Sequence, residues 1–173
     1  MIRKAVFSDL DEVEKIYDEI HAEEEAGRMT VGWIRDVYPT RETAALALKR
    51  DDLFVFEEEG RVLASAIINR SQVDVYKDGE WAFEADDSEI AVLHTLTVSP
   101  KAGKRGVGKS FVEFYEELAK KSGCKVLRMD TNEKNAVARA FYKKLGFREA
   151  GVVPCEFNKI PSVRLVLLEK NLT

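Results

Sequence analysis

The chain has 173 residues, of which 45% are hydrophobic and 34% are charged, a balance typical of one soluble domain with its own core. Its formal net charge of −4 argues against nucleic acid as a partner, because such binding needs a basic surface. The sequence shows no signal-peptide pattern, no apolar run that could span a membrane and no zinc-type spacing of its cysteines and histidines. We therefore expect a cytoplasmic protein without a membrane partner or a bound metal.

The N-terminal region predicts a short strand followed by an amphipathic helix. Ile2–Val6 is apolar and predicts the strand. Ser8 and Asp11 have the spacing of a capping box, which places the helix start at Ser8, and Gly27 ends the helix. The apolar stripe of this helix consists of Leu10, Val13, Ile16, Tyr17 and Ile20.

The middle of the chain predicts two short helices, a hairpin and a loop. Val31–Val37 and Arg41–Lys49 have the spacing of short helices. Leu53–Phe56 and Val62–Ile68 predict an antiparallel hairpin, because a tight glycine turn joins two apolar runs. Residues 70–88 are polar and predict an irregular loop.

The C-terminal half alternates strands and helices. A long strand is predicted at Ile90–Val98 and ends at Pro100. The elements that follow are a helix at Val107–Ala119, a strand at Lys125–Met129, a helix at Lys134–Leu145 with a core stripe of Val137, Ala140, Phe141 and Leu145, and strands at Phe147–Val153 and Val163–Leu168. This order predicts one α/β domain over residues 1–173.

The segment Gly103–Ser110 lies between the long strand and the helix that follows it. Glycines at a helix N-terminus let backbone N–H groups converge on one point, which suits an anion such as a phosphate ester. The segment also carries several cations, which are unfavourable at a helix N-terminus unless a negative ligand is present. These cations are Lys101, Lys104, Arg105 and Lys109.

One interpretation of this loop is a nucleotide-binding P-loop, since Gly103–Ser110 fits G-x-x-x-x-G-K-S. Asp130 would then end a metal-binding strand. Three features argue against it: four residues separate the loop from its strand, a hairpin precedes the loop, and few residues follow it. A P-loop kinase or NTPase is therefore the alternative hypothesis.

The second interpretation explains more of the sequence. Gly103–Gly108 resembles the acetyl-CoA loop of the GNAT superfamily of N-acetyltransferases, Q/R-x-x-G-x-G/A, with Gly in place of the first Gln or Arg. The segment Asn132–Phe147 resembles the superfamily's N-x-x-A-x-x-F-Y-x-K-L-G-F segment. Both motifs occur in the family's order, about thirty residues apart, which makes the resemblance specific.

The resemblance implies a GNAT fold of the α/β (α+β) class, with a mixed, mostly antiparallel sheet of about seven strands and helices on both faces. It implies an N-acetyltransferase that moves acetyl directly from acetyl-CoA to a small-molecule or peptide amine in a ternary complex. A homodimer is compatible with the family. A catalytically silent CoA-binding sensor of the same fold is a second alternative.

The resemblance also implies a set of cofactor-binding residues. The backbone of the long strand would pair with the pantetheine arm, and the glycine loop would hold the pyrophosphate. The residues are Leu96, Thr97, Val98, Lys104, Arg105, Gly106, Val107, Gly108, Lys109, Ser110, Asn135 and Tyr142. For Asn135 the alternative role is that of a helix-start residue.

Three residues are candidates for proton transfer. The family's matching tyrosine, Tyr142, would protonate the leaving thiolate, with packing in the core as the alternative. His94 lies on the long strand and has an imidazole suited to accept a proton, unless it is an ordinary buried histidine. Glu89, at the start of the same strand, is the other candidate base.

The acceptor amine is expected to meet residues near the first helices. The predicted acceptor-binding residues are His21, Glu24, Trp33 and Tyr38. Trp81 and Phe83 are further aromatic candidates for this pocket. The sequence does not identify the acceptor.

Overall fold

A computed structural model describes residues 1–102 and 104–173, which form a seven-stranded sheet with four α-helices. The strands are β1 (Ile2–Lys4), β2 (Leu53–Glu58), β3 (Arg61–Asn69), β4 (Ile90–Val98), β5 (Val126–Asn132), β6 (Arg148–Phe157) and β7 (Ile160–Asn171). The helices are α1 (Leu10–Glu25), α2 (Arg41–Lys49), α3 (Val107–Lys121) and α4 (Ala136–Lys144). The fold class and the hairpin of β2 and β3 agree with the sequence prediction.

The strand order in the sheet is β1-β2-β3-β4-β5-β7-β6. All neighbouring strands are antiparallel except β4 and β5, which run parallel. This parallel pairing covers only Ile90–Val92 opposite Val126–Arg128. Both strands continue beyond it, to Val98 and Asn132, so they diverge and leave a wedge between their C-terminal halves.

Side chains on the sheet alternate between two covered faces, as the period of a strand requires. Leu53 and Val55 pack against α1 and α2, whereas Phe54 packs against α3. On the second half of the sheet, Ala91 and Leu93 contact the α3 layer, which also includes α4. The opposite face there is covered by residues 70–89, so the predicted loop forms part of the core through Tyr76 and Trp81.

Two local predictions in the N-terminal region are wrong. Ser8 does not start α1; a 3₁₀ turn at Phe7–Asp9 precedes the helix, and the Asp9 carboxylate accepts the Val6 N–H at 2.8 Å. Arg3 holds Asp9 with a bidentate pair, which fixes this turn. Residues 31–37 form no helix: they are irregular, with a single bridge between Ile34 and Tyr38.

The predicted core stripe of α4 is also partly wrong. Val137 is 81% exposed and Ala140 is exposed, whereas Tyr142 is buried, and Ala138, Phe141 and Leu145 pack against the core. The apolar residues of this short helix can be read as either of two stripes along its surface. The packing of α4 on the sheet selects the one that carries Tyr142.

Two helix valines test this assignment. We expect Val112→Ala, at a fully buried site in α3, to lower the free energy of unfolding by about 2 kcal/mol through lost burial and a residual cavity. Val137→Ala should change it by less than about 0.5 kcal/mol, because the side chain is in water. Urea denaturation of both variants measures the difference. Equal losses would contradict the placement of α4.

Candidate active site

The wedge between β4 and β5 opens into a cleft of about 760 Å³, here called the β4–β5 cleft. Its walls come from the ends of β4 and β5, from α4, from the loop before α2 and from the β6–β7 turn. The residues that bear on its chemistry are Trp33, Tyr38, His94, Thr95, Leu96, Asp130, Asn132, Asn135 and Tyr142. The cleft therefore collects polar side chains from five separate segments of the chain.

A β-bulge in β4 turns three consecutive residues towards this cleft. Ser65 pairs with Thr97 and Ile67 pairs with His94, so one β3 residue lies opposite two β4 residues. Thr95 has φ +50°, and its hydroxyl contacts the Tyr38 hydroxyl. A regular strand would bury alternate residues, but the bulge leaves His94, Thr95 and Leu96 all half-buried on the cleft.

Tyr142 lies on the α4 side of the cleft with 8% of its surface exposed. Its ring packs edge-on against Phe141 and Phe147, at 5.1 Å and 5.8 Å between centroids. Burial raises the pKa of Tyr142 well above its usual value, and the charge of Asp130 adds to this. The phenol therefore stays protonated at neutral pH and can act as a proton donor.

His94 faces the cleft from β4. Its Nε2 lies 3.0 Å from Asn69 Oδ1. Burial lowers the pKa of His94, opposed in part by the Ser71 backbone and by Asp52. The imidazole is therefore neutral at pH 7 and has a lone pair for a proton.

Asp130 follows the buried part of β5 and is half-buried on the cleft. Tyr76 Oη donates a hydrogen bond to Asp130 Oδ2 at 2.6 Å. Burial raises the pKa of Asp130 to about 6, although the Tyr76 hydrogen bond opposes this. The sequence analysis considered Asp130 only as part of a P-loop enzyme. The signal for its place in this cleft was its position as a carboxylate at the end of an apolar strand.

The N-terminus of α3 stands beyond the C-terminal end of β4. Gly106 caps the helix with φ +75°, a conformation that suits glycine. A Cβ on Gly108 would lie 3.5 Å from Phe141 Cζ and 3.8 Å from Val98 Cγ2, so α3 begins against both β4 and α4. Gly103, the first residue of the predicted loop motif, lies outside the described residues.

Three of the four cations near this helix start have carboxylate partners. Lys101 pairs with Glu19 at 2.7 Å, Arg105 pairs with Glu58, and Lys109 lies 3.4 Å from Glu113. Lys104 is exposed. These ion pairs offset the charge on the cations, so the cations alone do not require a bound polyanion. The anion prediction depends on the backbone amides of the first helical turn instead.

The structure brings most of the predicted residues to two adjoining places. His94, Leu96, Asn135, Tyr142, Trp33 and Tyr38 line the cleft. Thr97 and Val98 continue β4 towards the N-terminus of α3, where Lys104, Arg105, Gly106, Val107, Gly108, Lys109 and Ser110 lie. Thr97 directs its own hydroxyl away from solvent, to Ser65 Oγ at 2.8 Å.

Three of the residues predicted for catalysis or acceptor binding do not line the cleft: Glu89, His21 and Glu24. Glu89 precedes β4 at the opposite end from the wedge, about 16 Å along the strand from His94. It pairs there with Lys125, which lowers the pKa of Glu89. His21 is 2% exposed, and its Nε2 lies 3.0 Å from the Pro39 carbonyl oxygen. Neither side chain lines the β4–β5 cleft.

Glu24 supports the loop of the cleft from behind. Its carboxylate accepts the N–H groups of Val31 and Gly32, at 2.7 Å and 3.1 Å. Gly32 has φ +78°, and a Cβ there would lie 2.2 Å from Asn132 Nδ2. Only glycine therefore allows this loop to cross against the end of β5.

Trp81 and Phe83 differ from the expectation, whereas Asn135 lies where it was expected. Trp81 and Phe83 do not line the cleft: Trp81 stacks under the Arg128 guanidinium at 4.1 Å, and the Phe83 N–H lies 3.3 Å from Glu169. Asn135 lines the cleft but also caps α4, where its Oδ1 accepts the Ala138 N–H at 3.1 Å. This is the helix-start role that the sequence left open.

Comparison with known proteins identifies the family. Residues 12–147 match the acetyltransferase (GNAT) family, and the chain belongs to it. An uncharacterized N-acetyltransferase of Methanocaldococcus jannaschii is 32% identical over 108 residues, which cover 61% of this chain and 44% of that protein. The match thus spans less than half the length of this curated relative.

Solved structures share the fold at lower identity. The ribosomal-protein-alanine N-acetyltransferase of Brucella melitensis superposes with a TM-score of 0.71 at 21% identity, covering 99% of both chains. The yncA protein of Salmonella typhimurium, solved with its cofactor acetyl-CoA, superposes with a TM-score of 0.69 at 18% identity. That match covers 100% of this chain and 94% of the other. These likenesses establish the GNAT fold.

None of the helices in residues 1–102 and 104–173 combines the length and the apolar character that a membrane span requires.

The five tyrosines give a test of burial across the whole structure. Burial raises the pKa of each one: Tyr17 (to about 12), Tyr38, Tyr76, Tyr115 and Tyr142. The tyrosines of an unfolded chain lose their protons near pH 10, so those of the folded protein stay protonated to higher pH. We expect no tyrosinate absorbance at pH 10.5 in the native protein and a stability that falls as pH rises above 10. Half-ionised tyrosines at pH 10 without unfolding would contradict the structure.

Proposed function

We propose that this protein transfers an acetyl group from acetyl-CoA directly to a primary amine, in a ternary complex. The observation that carries the proposal is the early end of the β4–β5 pairing. Beyond Val92 the edge of β4 faces the β4–β5 cleft instead of another strand. An extended ligand can pair with such an edge as an added strand does.

The residues present fit coenzyme A along this edge. The backbone of Leu96–Val98 would hold the pantetheine arm, and the amides at the start of α3 would hold the pyrophosphate. Gly106 lets the backbone come close to a ligand there, and Gly108 lets α3 begin against Phe141 and Val98, next to the end of β4. Asn135 and Tyr142 would flank the arm from α4.

Bound acetyl-CoA supplies the acetyl group as a thioester. In the proposed transfer the amine nitrogen bonds to the carbonyl carbon as the carbon–sulfur bond breaks. Tyr142 Oη gives its proton to the departing sulfur, and neutral His94 accepts the proton that the amine loses. The raised pKa of Tyr142 and the lowered pKa of His94 leave each group in the state that its step requires.

Asp130 gives the cleft a negative charge at neutral pH, because its pKa of about 6 lies below 7. The carboxylate attracts an ammonium group, and it is a second acceptor, besides His94, for the proton that the amine loses. The rings of Trp33, Tyr38 and Phe157 form a row at the same end of the cleft. The ring centroids of Trp33 and Tyr38 are 5.8 Å apart, and those of Tyr38 and Phe157 are 5.3 Å apart. We therefore propose a cationic amine with an apolar neighbour, on a small molecule or on a peptide, as the acceptor.

Family membership supports acetyl transfer over the alternatives. A P-loop kinase is not supported, because β4 and β5 form the one parallel pair among the described strands. A silent CoA-binding sensor would bind CoA but release no thiol with any amine. Free Cys124 and Cys155 are compatible with the proposed cytoplasmic location, and a homodimer remains an expectation from the family.

Thiol release from acetyl-CoA, measured against a panel of amines and N-terminal peptides, tests the function directly. With an accepted amine, Tyr142→Phe should lower kcat by about 100-fold, because the leaving sulfur loses its proton donor. The affinity for acetyl-CoA should stay within about twofold, because the ring remains. No thiol release with any acceptor would overturn the proposal.

Tyr17→Phe is the matched control. Tyr17 is buried outside the cleft, and its hydroxyl lies near the Ser65 side chain without forming a close hydrogen bond. Its removal should leave kcat and stability unchanged. If both variants lose activity alike, Tyr142 has no specific role in proton transfer.

Gly108 tests the cofactor end of the cleft. Gly108→Leu should weaken CoA binding at least tenfold, because its side chain must displace Phe141 or Val98 and move the start of α3. Gly108→Ala should keep most of the affinity, because its Cβ would make ordinary contacts of 3.5 Å and 3.8 Å. Isothermal titration with CoA measures both, and thermal melting checks that both fold. Unchanged affinity in the leucine variant would exclude this site.

A further inference from the structure

Beside His94, along the wall of the cleft that Asn69 and Arg50 help to form, a chain of hydrogen bonds runs through β3 to the residue before β2. Asp52 is 8% exposed, and its Oδ2 accepts a hydrogen bond from Asn69 Nδ2 at 2.9 Å. Arg50 Nε donates to the same carboxylate at 2.9 Å. Asn69 in turn lies 3.0 Å from the His94 ring.

The orientation of the Asn69 amide follows from chemistry at both of its ends. A carboxylate can only accept, so the group that faces Asp52 must be the NH₂. At the other end, the Ser71 backbone N–H donates to Asn69 Oδ1 at 2.9 Å, and an N–H needs an acceptor. Two independent partners therefore agree on one orientation, which removes the usual ambiguity of an amide.

The tautomer of His94 then follows. Asn69 Oδ1 can only accept, so the ring nitrogen that faces it, Nε2, must carry the proton. In the neutral ring Nδ1 is then bare. The side-chain hydrogen bond of the ring among the described residues is made by Nε2, and Nδ1 is not among their fully buried unpartnered nitrogens, so its lone pair can accept a proton.

We infer that Asn69, held by Asp52, is a positioning residue that fixes His94 as the Nε2–H tautomer and presents Nδ1 as the proton acceptor. The catalytic meaning of this inference rests on the proposed function. The tautomer itself is a property of the resting protein. The charged groups near the ring are Asp52, which faces Asn69, and Arg50 and Asp130, which both line the cleft.

Nitrogen-15 NMR tests the tautomer without any assay of activity. The protein has two histidines, His21 and His94. The ring signals that are lost in His94→Gln are therefore those of His94. In the native protein at pH 7.5 we expect the His94 Nδ1 signal at the position of a bare nitrogen and Nε2 at that of a protonated one. A protonated Nδ1, with or without a protonated Nε2, would overturn the inference.

Two variants test the role of Asn69. In Asn69→Ala the two nitrogen signals should move towards each other as the tautomers exchange, and kcat should fall about tenfold with the KM for acetyl-CoA unchanged. Asn171→Ala, at an exposed site near the end of β7, is the control and should alter neither quantity. An unchanged His94 spectrum in folded Asn69→Ala would refute the positioning role.

The double exchange Asp52→Asn with Asn69→Asp keeps the argument testable if the alanine variant does not fold. The new amide at position 52 can donate to the new carboxylate at position 69, which still accepts from Nε2–H, so the tautomer should persist. The negative charge then adjoins the ring and should raise the pKa of His94, so the acid limb of kcat/KM should move to higher pH. A limb that stays in place would contradict the proposed contact. If the tautomer is as stated but no amine releases thiol, the proposed function fails and the positioning role stands.

Discussion

The brevity of the β4–β5 pairing is the constraint on which the rest of the structure depends. Three residues of each strand pair in parallel, and the strands then separate while each keeps its other neighbour. Backbone N–H and C=O groups along the parted edge of β4 must bond to something, because unpaired buried groups are costly. In a family that uses an extended thioester ligand, the sheet itself supplies the matching groups.

Several contacts keep the wedge open. The bulge at Thr95 changes the course of β4, and the Tyr38 hydroxyl holds Thr95 from the far side of the cleft. Glu24 fixes the Gly32 loop against Asn132, at the end of β5. The residues that the sequence assigned to acceptor binding therefore have two kinds of role. Tyr38 forms the wall of the cleft, and Glu24 braces that wall from outside it.

The sequence predicted the fold well because its signals are local. Helix stripes, glycine turns and the loop motif at Gly103–Gly108 each occupy a few consecutive residues, so the order of elements was readable. The residues that complete the cleft come from distant segments. Asn69 gave no signal of its own, and Asp130 stood out only as a carboxylate at the end of an apolar strand; the register of β3 against β4 and the burial of β5 bring both into place. The misplaced stripe on α4 has the same cause, since packing on the sheet decided between two faces of a short helix.

Burial in one cleft accounts for the protonation states of all three groups near the proposed chemistry. Desolvation disfavours whichever form is charged, so it raises the pKa of Tyr142, lowers that of His94 and raises that of Asp130 to about 6. At pH 7 the phenol is therefore a donor and the imidazole an acceptor, both uncharged, and Asp130 alone keeps its charge. A cationic amine would approach that charge, but it must lose a proton before it can attack a carbonyl carbon. Burial in the cleft would favour the neutral amine as it favours neutral Tyr142 and His94, whereas the Asp130 carboxylate would favour the cation. In the proposed transfer, Asp130 therefore attracts the acceptor, and loss of its proton to His94 or Asp130 makes the amine a nucleophile.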